Sequence, residues 1–144
     1  MPQVGDIYQL LTCEAKTVNE NAPKKEVIEV MLSGSPMAHT VYVVDDTGQL
    51  KGIITLGHIM KGIAVQQGLD TGNYDFKSPY KLFQYSPFGL AKDIMGQPVY
   101  VTKDTNLQAA LEKMVLGHID ELPVLDTDGK VIGDLNAFEI LKFI

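Results

Sequence analysis

The two halves of this chain show the same succession of helical and strand-like patterns of apolar residues. In the second half, apolar residues recur at the helical spacing i, i+3, i+4, i+7 and i+8, at positions Leu107, Ala110, Leu111, Met114 and Val115. The first half repeats this spacing at Val27, Val30 and Met31, shortly after Pro23, a residue that the first turn of a helix tolerates. Each run predicts a helix with one apolar face that packs on a core.

Two short apolar segments around a tight turn follow each predicted helix. They are Val41–Asp45 with Leu50–Ile54, and Leu122–Asp126 with Val131–Leu135. The turns read DDTG and DTDG, and tight turns favour Asp and Gly. A second helical stripe follows each hairpin, at positions Leu56, Ile59, Met60 and Ile63, and at Ile140, Leu141 and Ile144. With the short extended piece before each first helix, the order is β-α-β-β-α in each half, which predicts a mixed α/β (α+β) fold.

The two halves are copies of one repeat. An offset of 81 residues aligns Val43 with Val124 and continues without a gap to Ile63 and Ile144; seven of these 21 pairs are identical. We therefore expect one repeat in residues 1–65 and a second in residues 91–144. A duplicated unit builds one fold, and the cleft between its copies is a natural place for a ligand.

The segment between the repeats, residues 66–90, is not explained by the duplication. Six of the chain's 11 aromatic residues fall between Tyr74 and Phe88, and Pro79 and Pro87 interrupt any long helix there. One interpretation is a connector that packs on its own core. The other is a lid or docking surface, because aromatic side chains anchor interfaces.

Composition narrows the function classes. The chain has 144 residues, a net charge of −6 and 12 basic residues, all of them lysine. Without arginine or a basic stripe we expect no nucleic-acid partner. No apolar run approaches the roughly 18 residues of a membrane span, and the N-terminus lacks the pattern of a signal peptide. The single Cys13 fits a reducing cytoplasm, where we expect the protein to be found.

Motifs for catalysis and metal binding are absent from the sequence. There is no Walker loop and no GxGxxG, and no Ser/His/Asp or Cys/His arrangement. Metal-ligand spacing is also missing around His39, His58, His118 and Cys13. We therefore expect neither an enzyme nor a metal site, and no covalent cofactor.

The runs TVYVVDDTGQLKGIITLGHIM and GHIDELPVLDTDGKVIGDLNAFEIL resemble paired CBS domains, the cystathionine-beta-synthase-type repeats of a Bateman module. The resemblance covers nearly the whole chain except residues 66–90. It implies two repeats packed with pseudo-two-fold symmetry, a regulatory or sensory role and a homodimer. It also implies an adenosine-type ligand, such as AMP, ADP, ATP or S-adenosylmethionine, between the repeats.

Both repeats depart from the family's [Ser/Thr]-x-x-Asp element, which offers a hydroxyl and a ribose-binding carboxylate at the start of a helix. The first repeat has Thr55 and His58; the second has Asn136 and Glu139. Each pair is also explained as a helix cap, and Asn136-x-x-Glu139 reads as a variant capping box. His58 is either a packed or solvated histidine, or a partner for a ribose hydroxyl or a phosphate.

Carried over residue by residue, the resemblance implies two clefts. The first combines Ile53, Thr55 and His58 with Thr105, Ile119 and Asp120, and His39 matches a position that often lies near a phosphate. The second combines Asp134, Asn136 and Glu139 with Ala22 and His39–Thr40. The carboxylates of the second cleft, with Asp120-Glu121 beside them, repel phosphate. We therefore expect a nucleotide in the first cleft, and a neutral or cationic adenosine compound to suit the second.

Gly52 and Gly133 lie inside predicted strands. They mark either a bulge or tight bend, or a close approach of the backbone to a ligand.

A rival interpretation is a dimeric interaction scaffold that has lost its ligand. The His58 and Asn136 substitutions and the lack of arginine favour it. In both interpretations Leu141, Phe143 and Ile144 are candidates for the dimer surface, and an unidentified regulated protein is a candidate partner. The state of the first cleft discriminates between the two, because a sensor needs an open and partly apolar pocket there.

Overall fold

Each repeat forms a three-stranded sheet with helices beside it. The computed structural model describes residues 2–9, 14–36, 38–66 and 89–143. The elements in chain order are α1 Val4–Ile7, β1 Lys16–Asn19, α2 Lys24–Leu32, β2 Val41–Val44, β3 Leu50–Ile54, α3 Leu56–Gln66, α4 Ala91–Ile94, β4 Val101–Thr102, α5 Leu107–Gly117, β5 Glu121–Leu125, β6 Val131–Asn136 and α6 Ala137–Leu141.

The two sheets have the same topology. In one, β1 is parallel to β2 and β2 is antiparallel to β3; in the other, β4, β5 and β6 follow the same order. The predicted duplication and the mixed α+β class are therefore confirmed.

The two hairpin turns are built alike. Asp45 Oδ1 accepts hydrogen bonds from the backbone N–H groups of Thr47 and Gln49, and Asp126 does the same in the second repeat. Gly48 and Gly129 adopt φ angles of 87° and 82°, a region in which glycine meets no steric penalty. The Asp and Gly residues of DDTG and DTDG therefore form the tight turns that the sequence predicts.

The short helices α1 and α4 are exchanged between the repeats. Val4 and Ile7 of α1 pack in the core of the second repeat, and Ala91 and Ile94 of α4 pack in the core of the first. Backbone hydrogen bonds fix the crossing: the Val4 N–H donates to the Thr105 carbonyl at 2.8 Å, and the Ala91 N–H donates to Ala22 at 2.8 Å. Each hydrophobic core is therefore completed by a short helix that precedes the other repeat in the sequence.

Several residues of the predicted apolar stripes are not buried. The exposed ones are Leu56, Met60, Leu111, Val115 and Leu141. The sheet covers only part of each stripe, and the remainder faces solvent or the cleft between the repeats. The aromatic residues between Tyr74 and Phe88, together with Cys13 and Ile144, lie outside the described residues.

Both strand glycines lie beside a bulge, and the group that approaches each of them closely is another part of the chain. The ladder registers shift beside them, between Val43 and Val44 and between Val124 and Leu125. A Cβ atom on Gly52 would lie 2.6 Å from the Gly96 carbonyl oxygen, and one on Gly133 would overlap the Tyr8 ring. The close neighbour in each case is the chain that follows the exchanged short helix.

No helix in the described ranges is long and apolar enough to cross a bilayer.

Candidate functional site

Equivalent positions of the two repeats meet on the pseudo-two-fold axis. Gln49 and Lys130, 81 residues apart, form an isolated bridge. His39 and Asp120 have the same separation in sequence, and His39 Nε2 lies 3.5 Å from Asp120 Oδ2. In an exact duplication, identical side chains would face each other across this axis. The two positions now carry different residues, so a histidine faces a carboxylate.

Two adjoining cavities open between the repeats. The larger, of about 620 Å³, is lined by residues that include His39, Thr40 and Asp120 together with the helix residues Leu111 and Val115. The smaller, of about 360 Å³, is lined by Ile53, Thr55, His58, Gly96, Gln97, Val99, Gly117, His118 and Ile119. Thr55, His118 and Ile119 belong to both linings, so the two spaces form one cleft with a smaller inner part and a larger outer part, and each part is lined by both apolar and polar side chains.

His58 caps the helix whose first turn borders this cleft. The Thr55 N–H donates to His58 Nδ1 at 3.1 Å, and the His58 N–H donates to Thr55 Oγ1 at 3.2 Å. Burial lowers the pKa of His58, and the nearby charge of Lys61 lowers it further. A neutral imidazole whose Nδ1 accepts a hydrogen bond carries its proton on Nε2. Thr55 and His58 therefore offer one hydroxyl and one neutral ring to the cleft, without a carboxylate.

The equivalent junction in the second repeat is a buried capping box. The Phe138 N–H donates to Asn136 Oδ1 at 2.9 Å, and the Asn136 N–H donates to Glu139 Oε1 at 2.8 Å. The capping interpretation of these two residues is confirmed. Asn136 and Glu139 are at most 1% exposed.

Three buried polar side chains occupy the second cleft. The Tyr42 hydroxyl donates to Asp134 Oδ1, and all of Tyr42, Glu121 and Asp134 are at most 1% exposed. Burial, reinforced by the Glu121 charge, raises the pKa of Asp134 to about 8. One oxygen of each carboxyl group, Asp134 Oδ2 and Glu121 Oε2, lacks a hydrogen bond from any other described group. A proton held by Asp134 and donated to Glu121 satisfies both.

A buried lysine lies in the field of the same carboxylates. Lys16 Nζ donates to the carbonyls of Met31 and Ser35, at 2.8 and 3.2 Å. Burial lowers the pKa of Lys16, while the charges of Glu121 and Asp134 oppose this effect. The lysine thus neutralises part of the buried negative charge.

Substitutions at two repeat positions explain why the clefts differ. Tyr42 corresponds to Pro123, and Gln9, which follows α1, corresponds to Gly96, which follows α4. The Gln9 N–H donates to the Asp134 carbonyl as the Gly96 N–H donates to that of Ile53. Large side chains therefore stand in the second cleft at positions where the first has proline and glycine.

The structure brings most of the predicted first-cleft residues together. His39, Ile53, Thr55, His58, Ile119 and Asp120 line the joined cavities. Thr105 does not line them; its hydroxyl oxygen accepts the Thr102 N–H at 3.0 Å, and its carbonyl binds α1. Ligand contact by Asp134, Asn136 and Glu139 stays a prediction, and it would require Tyr42 to move.

Sequence reasoning missed the part of the cleft that follows α4. Gly96, Gln97 and Val99 line the inner cavity. Their position depends on the exchange of α4 into the first repeat, for which the residue pattern holds no periodic signal. The one sequence signal for these short helices is an Asp-Ile pair that occurs in both repeats, at residues 6–7 and 93–94. Asp6 and Asp93 accept the backbone N–H groups of Gln3 and Leu90, which caps α1 and α4.

Comparison with known proteins agrees with this architecture. The sequence matches the CBS domain over residues 4–65 and 91–144. A CBS domain-containing protein from Thermotoga maritima is 32% identical, with a TM-score of 0.76 over 96% of this chain and 91% of its own. Two further structures are 21% identical: CBSX2 in complex with AMP (TM-score 0.73; 99% and 96% coverage), and the CBS domain pair of protein MJ0100 in complex with 5′-methylthioadenosine and S-adenosyl-L-methionine (TM-score 0.71; 99% and 95%).

The chain spans less than two thirds of the curated relatives it matches, from 66% of one to 24% of another.

Proposed function

Because the chain belongs to the CBS domain family, we propose that it is a cytoplasmic regulatory module that binds an adenosine-type ligand in the first cleft. The observation that carries this proposal is the continuous open cleft on which Thr55, His118 and Ile119 border both the inner and the outer cavity. CBS-pair structures of the same fold hold AMP or S-adenosyl-L-methionine, which supports this class of ligand.

The residues that line the cleft suit the purine, the ribose and the 5′ substituent of such a ligand, from the inner cavity to the outer one. Ile53, Val99 and Ile119 provide apolar walls for a purine in the inner cavity. Thr55 and His58, at the start of α3, stand where a ribose would need hydrogen-bond partners. The group attached to the 5′ carbon then points to the outer cavity, toward His39 and Asp120.

Charge in the outer cavity favours a ligand with little negative charge. Neither lining contains a lysine among the described residues, whereas Asp120 borders the cavity and Glu121 lies directly behind His39. A triphosphate would meet these carboxylates without a fixed cation, and repulsion at short range is costly. For the first cleft we therefore place S-adenosylmethionine, whose methionine end carries a sulfonium, an ammonium and a carboxylate group and a net positive charge, ahead of AMP and well ahead of ATP. This replaces the expectation from the sequence that a nucleotide binds in the first cleft.

Thermal unfolding of the chain with AMP, ADP, ATP and S-adenosylmethionine, each at about 1 mM, tests the proposal. A ligand at 100 times its dissociation constant stabilises the folded state by about 2.7 kcal/mol. We expect the largest upward shift with S-adenosylmethionine. Val99→Trp, which fills the inner cavity from a partly exposed position, should abolish the shift. An absence of any shift, or a shift that Val99→Trp leaves intact, contradicts the proposed site.

A dimeric scaffold is the second candidate, and exposed apolar side chains favour self-association. Met60 of α3, Leu116 of α5 and Leu141 of α6 are 60, 74 and 62% exposed, and Phe143 follows α6. Burial of such side chains is a driving force for a homodimer. Light scattering should give twice the chain mass, and Leu141→Glu should give a monomer. Dimerisation without any ligand shift would favour a scaffold that holds a regulated protein.

A further inference from the structure

We propose that His39, Asp120 and Glu121 form a binding site for a divalent transition-metal ion such as Zn²⁺. One ligand atom from each of the three residues lies within 4.8 Å of the other two. The residues come from equivalent segments of the two repeats and meet on the pseudo-two-fold axis beside the outer cavity of the cleft. The inference does not depend on an adenosine ligand.

The distances around the His39 ring fit metal coordination better than hydrogen bonding. Nδ1 lies 3.5 Å from Glu121 Oε1, and Nε2 lies 3.5 Å from Asp120 Oδ2. An N–H···O hydrogen bond is usually about 2.7–3.2 Å long. An ion binds only one nitrogen of an imidazole ring, so it would bridge either Nε2 and Asp120 Oδ2 or Nδ1 and Glu121 Oε1, with the other carboxylate as the third ligand. Two ligand atoms that each lie about 2.1 Å from a tetrahedral ion are about 3.4 Å apart, close to either spacing.

Burial of two of the donors gives an independent indication of a ligand. The Glu121 side chain is 0% exposed, and the buried His39 Nδ1 has no hydrogen-bond partner. A buried carboxylate that faces an unsatisfied imidazole nitrogen is costly unless a cation joins them. The His39 N–H donates to Glu121 Oε1 at 2.8 Å, which holds the carboxylate against the ring.

The donor set also fits an accessible ion. One imidazole nitrogen with two carboxylate oxygens is a mixed set that suits Zn²⁺ or Mn²⁺. The His39 and Asp120 side chains are 40 and 60% exposed and line the outer cavity. Three protein donors therefore leave a coordination position that water from the cavity fills.

Isothermal titration of the full chain with Zn²⁺ alone, and separately with Mn²⁺ alone, tests this site. A Cys13→Ser background removes the thiol as a competing ligand. We expect one ion per chain and a roughly tenfold or greater loss of affinity in His39→Gln and in Asp120→Asn. Both positions are partly exposed, so the variants should fold, which circular dichroism checks.

His118→Asn is the matched control. His118 also lines the cleft but lies outside the cluster, and asparagine tolerates its left-handed φ of 54°. This variant should bind the ion as the parent chain does. The proposal is overturned if neither ion binds, if His39→Gln and Asp120→Asn bind as tightly as the parent, or if His118→Asn loses binding to the same extent.

Discussion

Single side chains distinguish the two duplicated clefts. Tyr42 and Gln9 fill space beside Asp134, whereas the equivalent positions around Ile53 hold Pro123 and Gly96. The sequence showed the Tyr42 substitution but not its consequence, because the reach of a side chain across the pseudo-two-fold axis depends on how the sheets pack. For the same reason no spacing rule could relate His39 to Glu121, 82 residues away.

The raised pKa of Asp134 gives a pH-dependent stability with a definite sign. The group ionises near 3.8 in an ordinary setting and near 8 in the fold. Between these values the unfolded chain releases a proton that the folded chain retains. The free energy of unfolding should therefore fall as pH rises from about 4 to 8, by up to about 1.4 kcal/mol per pH unit.

Asp134→Asn should flatten this dependence. Asparagine keeps an acceptor for Tyr42 and a donor for Glu121 and does not ionise. Urea unfolding at pH 5 and pH 8, with EDTA present, should show the variant gaining stability relative to the parent at the higher pH. Asp128→Asn, in an exposed turn, is the control and should show no such gain. An equal difference between Asp134→Asn and the parent at both pH values would exclude a buried protonated Asp134.

At the scale of elements, residue patterns predicted the regular pieces and missed the exchanged ones. Helical spacing located α2 and α5, and the turn residues located both hairpins to within one or two residues. The helices α1 and α4 contain four residues each, about one turn, so no apolar period is visible in them. The helices α3 and α5 were predicted, but their exposed apolar residues were not, because an apolar stripe does not show which of its residues a neighbouring element covers.

The exchanged helix α1 should stabilise the second repeat strongly in spite of its length. Ile7 is 0% exposed and packs in that core, so Ile7→Ala should lower the free energy of unfolding by about 2–5 kcal/mol. Leu32→Ala, at an apolar residue that is 80% exposed, should change it by less than about 0.5 kcal/mol. Chemical denaturation compares the two, and similar small losses would mean that α1 is only loosely docked.

The strand glycine Gly52 should tolerate no side chain. A Cβ atom there would lie 2.6 Å from the Gly96 carbonyl oxygen, a backbone atom that cannot move aside alone. We expect Gly52→Ala to cost about 1–3 kcal/mol of stability. In Gly57→Ala the nearest atom would be Thr55 Oγ1 at 3.6 Å, so this helical substitution should be neutral or stabilising by up to about 1 kcal/mol. Equal effects of the two changes in denaturation experiments would contradict the close packing of α4 on β3.

At the scale of the whole molecule, duplication produced symmetry and later substitutions removed it at the cleft. The repeat in the sequence was sufficient to predict two equal units, and most of the first-cleft residues followed from the resemblance to CBS domains. The difference between the two clefts could not be predicted, because an alignment of the repeats shows which residues differ but not where their side chains lie in space. We therefore predict that this nearly symmetric molecule binds its ligand in the first cleft only.

Calorimetric titration with S-adenosylmethionine tests this asymmetry most directly, because it reports the number of ligands bound per chain. We predict one ligand per chain, no binding to Val99→Trp, and unchanged binding to Asp134→Asn, which alters only the second cleft. Two ligands per chain would show that both clefts bind, and binding that Asp134→Asn abolishes and Val99→Trp preserves would show that the second cleft is the functional one. Either result would contradict the proposed site.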